Sequence, residues 1–331
     1  MKKFIAVSFL IIAANFFIGH SLDYETPEPE EIDSLTTLSP GQYHPDINRW
    51  VSTILSRYHY KKTPMSDSLS SVIYDKYIKS LDYNKTYFLA SDIYEFEKYR
   101  FEFDEDLSRG ELKPAFEIFN TFRERFNDRT EYVLNILDSE FDFTKNEMYE
   151  IKRDKAPYPK SEEEANEIWR KRVKNEALNL KLAGKDWENI SETLKKRYNN
   201  YRKNIFQYKS EDVFQLIMNS YSEAIDPHTN YLSPITSDNF KINMSLSLEG
   251  IGAQLQAEDD YTKVAEIIPG GPAAKSGLLQ RNDRIIGVAQ GDDGEMVDVI
   301  GQRLNDVVQL IRGPKETIVR LQILYKKIIP L

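Results

Sequence analysis

The chain has 331 residues, of which 40% are hydrophobic and 29% charged, enough for two or three globular domains. Its net charge of −9 provides no electrostatic basis for binding nucleic acid or an anionic membrane. The absence of cysteine excludes disulfides, thiol catalysis, cysteine-ligated metal and a lipid-modified cysteine anchor. The four histidines show no ligand spacing, so we expect neither a metal site nor a cofactor.

The N-terminus has the layout of a secretory signal peptide. Lys2 and Lys3 precede an apolar run over 4–18, and Gly19-His20-Ser21 offers small residues for cleavage. The run is shorter than the ~20 apolar residues of a spanning helix, which argues against an uncleaved anchor. We therefore predict a signal over 1–21, export to a periplasm and no tight membrane insertion after its removal. Residues 22–43 are rich in Glu, Pro, Ser and Thr and predict an acidic arm.

Apolar residues recur at helical spacing over 44–209, which predicts an all-α domain. Expected helix starts are Asp46, Ser66, Asp92, Pro114, Ser161 and Asp186. The third of these helices should run without a break to Ser108 and end at Gly110. Aromatic stripes at this spacing are interpreted as core packing. The tyrosine-rich segment 81–89 by itself shows no pattern of catalytic residues.

Residues 210–243 are interpreted as an ordered connector after the helical domain. A helix is predicted from Ser210 to Ile225, followed by Asp-Pro-His-Thr-Asn-Tyr-Leu-Ser-Pro, whose two prolines should stop helix and strand alike. Asp226 and His228 could form a hydrolytic triad with a serine. However, the chain contains no Gly-x-Ser-x-Gly elbow, which favours a structural role for both residues.

A glycine-rich loop follows the connector. Gly250 and Gly252 flank Ile251, and an apolar/polar alternation then continues from Ala253 through Leu255, which predicts a strand. In such a loop the N–H groups of Ile251, Gly252 and Ala253 can converge on one point and hold an anion, with Gly250 shaping the turn. An extended peptide beside the strand could place its terminal carboxylate there. The alternative is a simple hairpin corner.

The remaining pattern over 244–326 predicts a small β domain, with a short terminal scrap at 327–331. The expected elements are a strand near Val264–Ile268, a short helix at Pro272–Ser276 ended by Gly277, a left-handed turn at Asn282, a strand at Arg284–Val288, a helix with Leu304, Val307, Val308 and Ile311 on one face, and a final strand near Val319–Ile323.

This order of elements resembles a PDZ domain of the bacterial protease-associated kind, with Asn282 and Glu316 at two positions where glycine is usual. The helical domain, the connector motif and the loop Ser-Leu-Glu-Gly-Ile-Gly-Ala together resemble the tail-specific, or C-terminal processing, protease family. Segment 81–89 resembles a stretch of that family's helical domain, and the resemblance implies that the connector 210–243 belongs to the protease core. The expected fold is therefore multidomain α+β: an all-α domain followed by a PDZ domain, a small β-sandwich or partly open barrel with two helices.

The resemblance implies a serine endopeptidase in the cell envelope of a Gram-negative-type bacterium, with a Ser/Lys dyad. Its PDZ domain would capture apolar C-terminal tails of protein substrates, and an adaptor lipoprotein could assist. In the family the dyad follows the PDZ domain, so we assign no catalytic residue and expect this chain to bind peptide only. A stand-alone peptide-binding adaptor is the alternative. Candidates for the peptide groove, which could equally be PDZ core, are Leu255, Leu304, Val307, Val308 and Ile311.

Overall fold

The computed structural model describes residues 36–244, 250–313 and 317–324. The predicted signal peptide, most of the acidic arm, Glu316 and the terminal scrap lie outside the described residues. The described chain forms two compact units, and the boundary between them along the chain lies between Ser233 and Pro234. The first is helical, and the second contains an antiparallel sheet with helices. The α+β fold class is confirmed.

The described part of the first unit contains eight α-helices: α1 (His44–Arg57), α2 (Asp67–Leu81), α3 (Ala90–Phe96), α4 (Phe103–Arg109), α5 (Lys113–Ile136), α6 (Glu162–Leu182), α7 (Trp187–Phe206) and α8 (Ser210–Ile225). Side-chain caps fix three of the predicted starts. The oxygens of Ser66, Ser161 and Asp186 accept from backbone N–H groups in the first turns of α2, α6 and α7. Each cap satisfies a donor that has no partner within its helix. None of the described helices has the length and apolar character needed to cross a membrane.

The prediction of one unbroken helix from Asp92 to Ser108 is wrong. The segment forms α3, a short 3-10 turn at Glu97–Tyr99 and then α4. At the break, the carbonyl oxygen of Arg100 accepts a hydrogen bond from Ser70 Oγ on α2 at 2.8 Å. This tertiary bond takes a carbonyl that a continuous helix would use for its own ladder. The predicted end is confirmed, because Gly110 has the left-handed φ of +83° at the C-cap of α4.

Aromatic side chains fill the main core of the helical unit, as predicted. Tyr77 on α2 is fully buried, donates to the carbonyl oxygen of Ala115 at 2.8 Å and meets Phe103 edge-on. A second cluster joins α5, α6 and α7 around Trp169, whose indole N–H donates to the carbonyl oxygen of Thr86 at 2.8 Å. The segment after α2 is thereby fixed to α6.

The connector motif, residues 226–234, is attached to the helical unit by hydrogen bonds. The carboxylate of Asp226 accepts from Tyr60 Oη and from the backbone N–H of His228, and these bonds lower the pKa of Asp226. The Thr229 hydroxyl lies 3.0 Å from His59 Nε2. Asp226 and Thr229 thus attach the motif to the helical unit, and the structural role predicted for the side chain of His228 stays a prediction. The prediction that Pro234 stops helix and strand alike is wrong. Pro234 begins a helix, because proline fits the first turn.

Asp106 on α4 should make the helical unit less stable as the pH rises. Burial, followed by the nearby carboxylates of Glu102 and Glu111, raises its pKa from 3.8 to about 6. The ionised form is therefore less favourable in the folded state, and the free energy of unfolding should fall between about pH 4 and 6. Asp106→Asn should remove this loss and stabilise the unit by about 1 kcal/mol at neutral pH, a value reduced for solvent screening.

Urea unfolding of both chains, followed by tryptophan fluorescence across this pH range, measures the effect. The two chains should have the same stability near pH 3, where the carboxyl group is protonated in both states. A stability difference that does not change with pH would contradict the assignment to Asp106 ionisation.

The second unit is built on an antiparallel sheet. Its described elements are α9 (Pro234–Met244), β1 (Ala253–Glu258), β2 (Tyr261–Ile267), α10 (Pro272–Ser276), β3 (Arg284–Gln290), β4 (Val297–Asp298), α11 (Leu304–Ile311) and β5 (Val319–Leu324). β1 pairs with β2; β3 pairs with β2, β4 and β5. Asn282 has the left-handed φ that the sequence predicted, +74°, and Gly277 ends α10 as predicted, with a φ of +67°. β4 was not predicted.

Candidate peptide-binding site

The site begins with one edge of β1. Among the described residues, β1 pairs with β2 alone, so its other edge carries no strand. Helix α11 lies against β1 and β3. A strand with one open edge beside a helix can accept an extended peptide through backbone hydrogen bonds, while the helix contributes side chains.

The loop before β1 directs two N–H groups away from the body of the unit. The carbonyl oxygen of Ile251 accepts from the N–H of Ala273 at 2.8 Å, and that of Gly252 accepts from the N–H of Ile268 at 2.9 Å. In a trans peptide the C=O and the following N–H point in opposite directions. The N–H groups of Gly252 and Ala253 therefore point away from α10 and β2. These are two of the three donors assigned from the sequence.

Gly252 is required for a close contact between two backbones. Its φ is +72°, and a Cβ at this position would lie 2.9 Å from Gly271 Cα and 3.0 Å from Pro272 Cδ. Gly250 makes no such close contact, because a Cβ there would meet nothing within 4 Å. Its φ of +140° still favours glycine. Sequence reasoning missed the role of Gly271 in this contact. The paired glycines before Pro272 were the available signal.

The five groove candidates occupy two kinds of position. Val307 and Ile311 are buried, with 0% and 4% of their surface exposed, in the core of the β-rich unit. Leu304 and Val308 on α11 and Leu255 on β1 are half-buried, and Leu255 packs against the same core. Two candidates thus lie where the alternative interpretation placed them, and the groove assignment stays a prediction for the other three.

Charged side chains make hydrogen bonds at the end of β1 and at the end of α11. At the end of β1, Glu258 accepts hydrogen bonds from Lys263 and Arg284, which lower the pKa of its carboxyl group. At the end of α11, Arg312 Nη1 donates to Asn239 Oδ1 on α9 at 2.5 Å. Within the described ranges no group of three or more His, Asp or Glu residues could hold a metal ion.

Comparison with known families assigns both units. Residues 51–235 match the family model for the tail-specific protease N-terminal domain, and residues 239–324 match the PDZ domain model. The chain belongs to the tail-specific protease family. It is 44% identical over 273 residues to the tail-specific protease of Haemophilus influenzae, an alignment covering 82% of this chain and 39% of that protein.

More distant relatives are similar over a shorter part of the chain. It is 33% identical over 132 residues to the carboxy-terminal processing protease CtpA of Bacillus subtilis, covering 39% of this chain and 27% of that protein. The chain thus spans about two fifths or less of the length of these curated relatives. A crystal structure of the PDZ domain of a Vibrio cholerae carboxy-terminal protease with a peptide is 57% identical, covering 23% of this chain and 78% of that chain with a TM-score of 0.23.

Proposed function

We propose that the PDZ domain of this chain binds the free, apolar C-terminal tails of protein substrates. The tail adds as a strand to the open edge of β1, and its terminal carboxylate accepts from the N–H groups of Gly252 and Ala253. The observation that carries the proposal is the direction of these two N–H groups at the start of an open strand edge. The apolar last side chains of the tail would contact Leu255, Leu304 and Val308.

We further propose that tail binding serves proteolysis by a serine endopeptidase in the periplasm. The names of the curated relatives support a protease, and the signal-like N-terminal sequence supports export. The Ser/Lys dyad implied by the family resemblance is assigned to no residue of this chain. An adaptor lipoprotein that delivers substrates is part of the same proposal.

The test compares one apolar peptide in two forms, with a free C-terminal carboxylate and with a C-terminal amide. We expect the acid to bind roughly tenfold or more tightly than the amide, because the amide lacks the charge and directs an N–H toward the loop donors. Fluorescence anisotropy of the N-terminally labelled peptides measures both affinities. A peptide with the same length and a charged last residue controls for the apolar pocket. Equal binding of acid and amide would contradict the carboxylate site.

The size of the native polypeptide separates a protease from a stand-alone peptide-binding adaptor. An antibody raised to residues 244–326 would detect the protein in the source cells. A product near the length of the Haemophilus relative would support the protease, and its serine and lysine could then be located. A product of the size of this chain would support the adaptor.

A further inference from the structure

A cavity lies in the helical unit beside the segment 81–89, which resembles the family but has no assigned role. Its volume is about 370 Å³, within the range of small-molecule sites. The lining comes from α2, from the segment 82–85 that follows it and from Asp154 and Tyr158 in the irregular stretch between α5 and α6. This irregular stretch covers residues 137–161. A connection of such length is uncommon in a compact domain and is often functional.

Some charged groups around this cavity are already satisfied. Arg100 donates to the carboxylates of Asp75 and Glu97 at 2.6–2.9 Å. The carboxylate of Asp82, only 2% exposed, accepts three backbone N–H groups over 86–88 at 2.9–3.0 Å. These groups hold the cavity wall together and are not available to a ligand.

Three other charged groups of the lining have no such partners. The ammonium of Lys79 lies 5.2 Å from the ring centre of Tyr83, and that of Lys85 lies 5.4 Å from the ring centre of Tyr158. In the part of the chain that the structure describes, neither lysine pairs with a carboxylate, and the Asp154 carboxylate has neither a hydrogen bond nor an ion pair. The cavity thus presents two unpaired cations and one unpaired anion.

Two aliphatic side chains form an apolar part of the cavity wall. Ile78 is 6% exposed, and Ile93 packs against the main core of the helical unit. Tyr74, also in the lining, is 1% exposed, and its hydroxyl has no hydrogen-bond partner among the described residues. A buried hydroxyl without a partner is unfavourable, so this wall holds one unused donor beside its apolar surface.

We propose that this cavity binds a small zwitterion with an apolar side chain, of the size of a dipeptide. Its carboxylate pairs with Lys79 and Lys85, its ammonium with Asp154, and its side chain packs against Ile78 and Ile93. Paired charges and an apolar wall together select against inorganic anions, which carry no apolar group, and against a substrate's C-terminal tail, which has no nearby ammonium. The site is separate from the PDZ domain and does not rest on its proposed function.

Isothermal titration calorimetry of the full chain with leucyl-leucine tests the proposal. N-acetyl-leucyl-leucine, leucyl-leucine amide and inorganic phosphate are the comparison ligands. We expect binding of the free dipeptide, a roughly tenfold loss of affinity when either end is capped, and weaker binding of phosphate. Lys85→Met, which keeps the apolar stem, should weaken dipeptide binding roughly tenfold. Asp154→Asn should abolish the preference over the acetylated form.

Matched controls keep these results interpretable. Lys76→Met on the same helix removes a lysine that pairs with Glu223 and is not part of the lining, and it should leave dipeptide affinity unchanged. Circular dichroism and the fluorescence of the three tryptophans, all of which lie in the helical unit, check that this unit folds in each variant. The proposal is overturned if the dipeptide does not bind, if phosphate binds as tightly, if Lys85→Met has no effect, or if the dipeptide displaces the tail peptide.

Discussion

Gly252→Ala should weaken binding of a free C-terminal tail roughly tenfold or more and destabilise the PDZ domain by about 2–4 kcal/mol. Two effects add. The φ of +72° is strained for any residue with a Cβ, and that Cβ would lie 2.9 Å from Gly271 Cα, a backbone atom that cannot rotate away. Relief of the contact would move the loop whose N–H groups are proposed to hold the carboxylate.

Gly291→Ala separates strain from contact. Gly291 has nearly the same φ, +69°, but a Cβ there would meet nothing within 4 Å. It should therefore show the cost of strain alone, with tail affinity changed by less than about twofold. Peptide anisotropy gives the affinities, and amide hydrogen exchange of β1 and β2 gives the local stability. Equal losses of affinity in the two variants would show that the contact between Gly252 and Gly271 has no part in tail binding.

Tyr77→Ala should destabilise the helical unit by about 3–5 kcal/mol. The ring is fully buried between α2, α4 and α5, so its removal leaves a cavity in the main core. It also removes the donor to the Ala115 carbonyl oxygen, which lies 2.8 Å from the hydroxyl. Tyr77→Phe keeps the ring and loses the hydrogen bond alone, so it should cost about 1–2 kcal/mol.

The tryptophans make this measurement selective. All three, Trp50, Trp169 and Trp187, lie in helices of the first unit, so their fluorescence during urea unfolding reports that unit alone. Tail-peptide affinity of the folded Tyr77→Ala chain should match that of the parent chain, because the change is confined to the helical unit. A loss below about 1.5 kcal/mol would mean that neighbouring side chains collapse into the space.

Local signals in the sequence predicted the local structure well. Ser66, Ser161 and Asp186 cap helices because their short polar side chains reach the first-turn N–H groups, and these contacts depend on a few neighbouring residues only. The left-handed turns at Gly277 and Asn282 follow from the same local logic. For the same reason the order of elements, and hence the fold class, could be predicted.

Features that depend on distant residues could not be predicted. The break between α3 and α4 uses a hydrogen bond from Ser70, thirty residues earlier in the chain. β4 has two residues and no periodicity, and only its pairing with β3 defines it. In the site, the loop glycines were predicted from their spacing, whereas the contact between Gly252 and Gly271 depends on how two segments approach each other.

The open edge of β1 also carries a risk of self-association. An unpaired strand edge can join the same edge of a second copy and start ordered aggregation. Gln254 and Gln256 alternate with apolar residues along β1, and the far end carries the cluster of Glu258 with Lys263 and Arg284. Charge at the end of an edge strand disfavours that pairing. The edge of β1 can therefore remain available to a C-terminal tail while pairing with the same edge of a second copy is disfavoured.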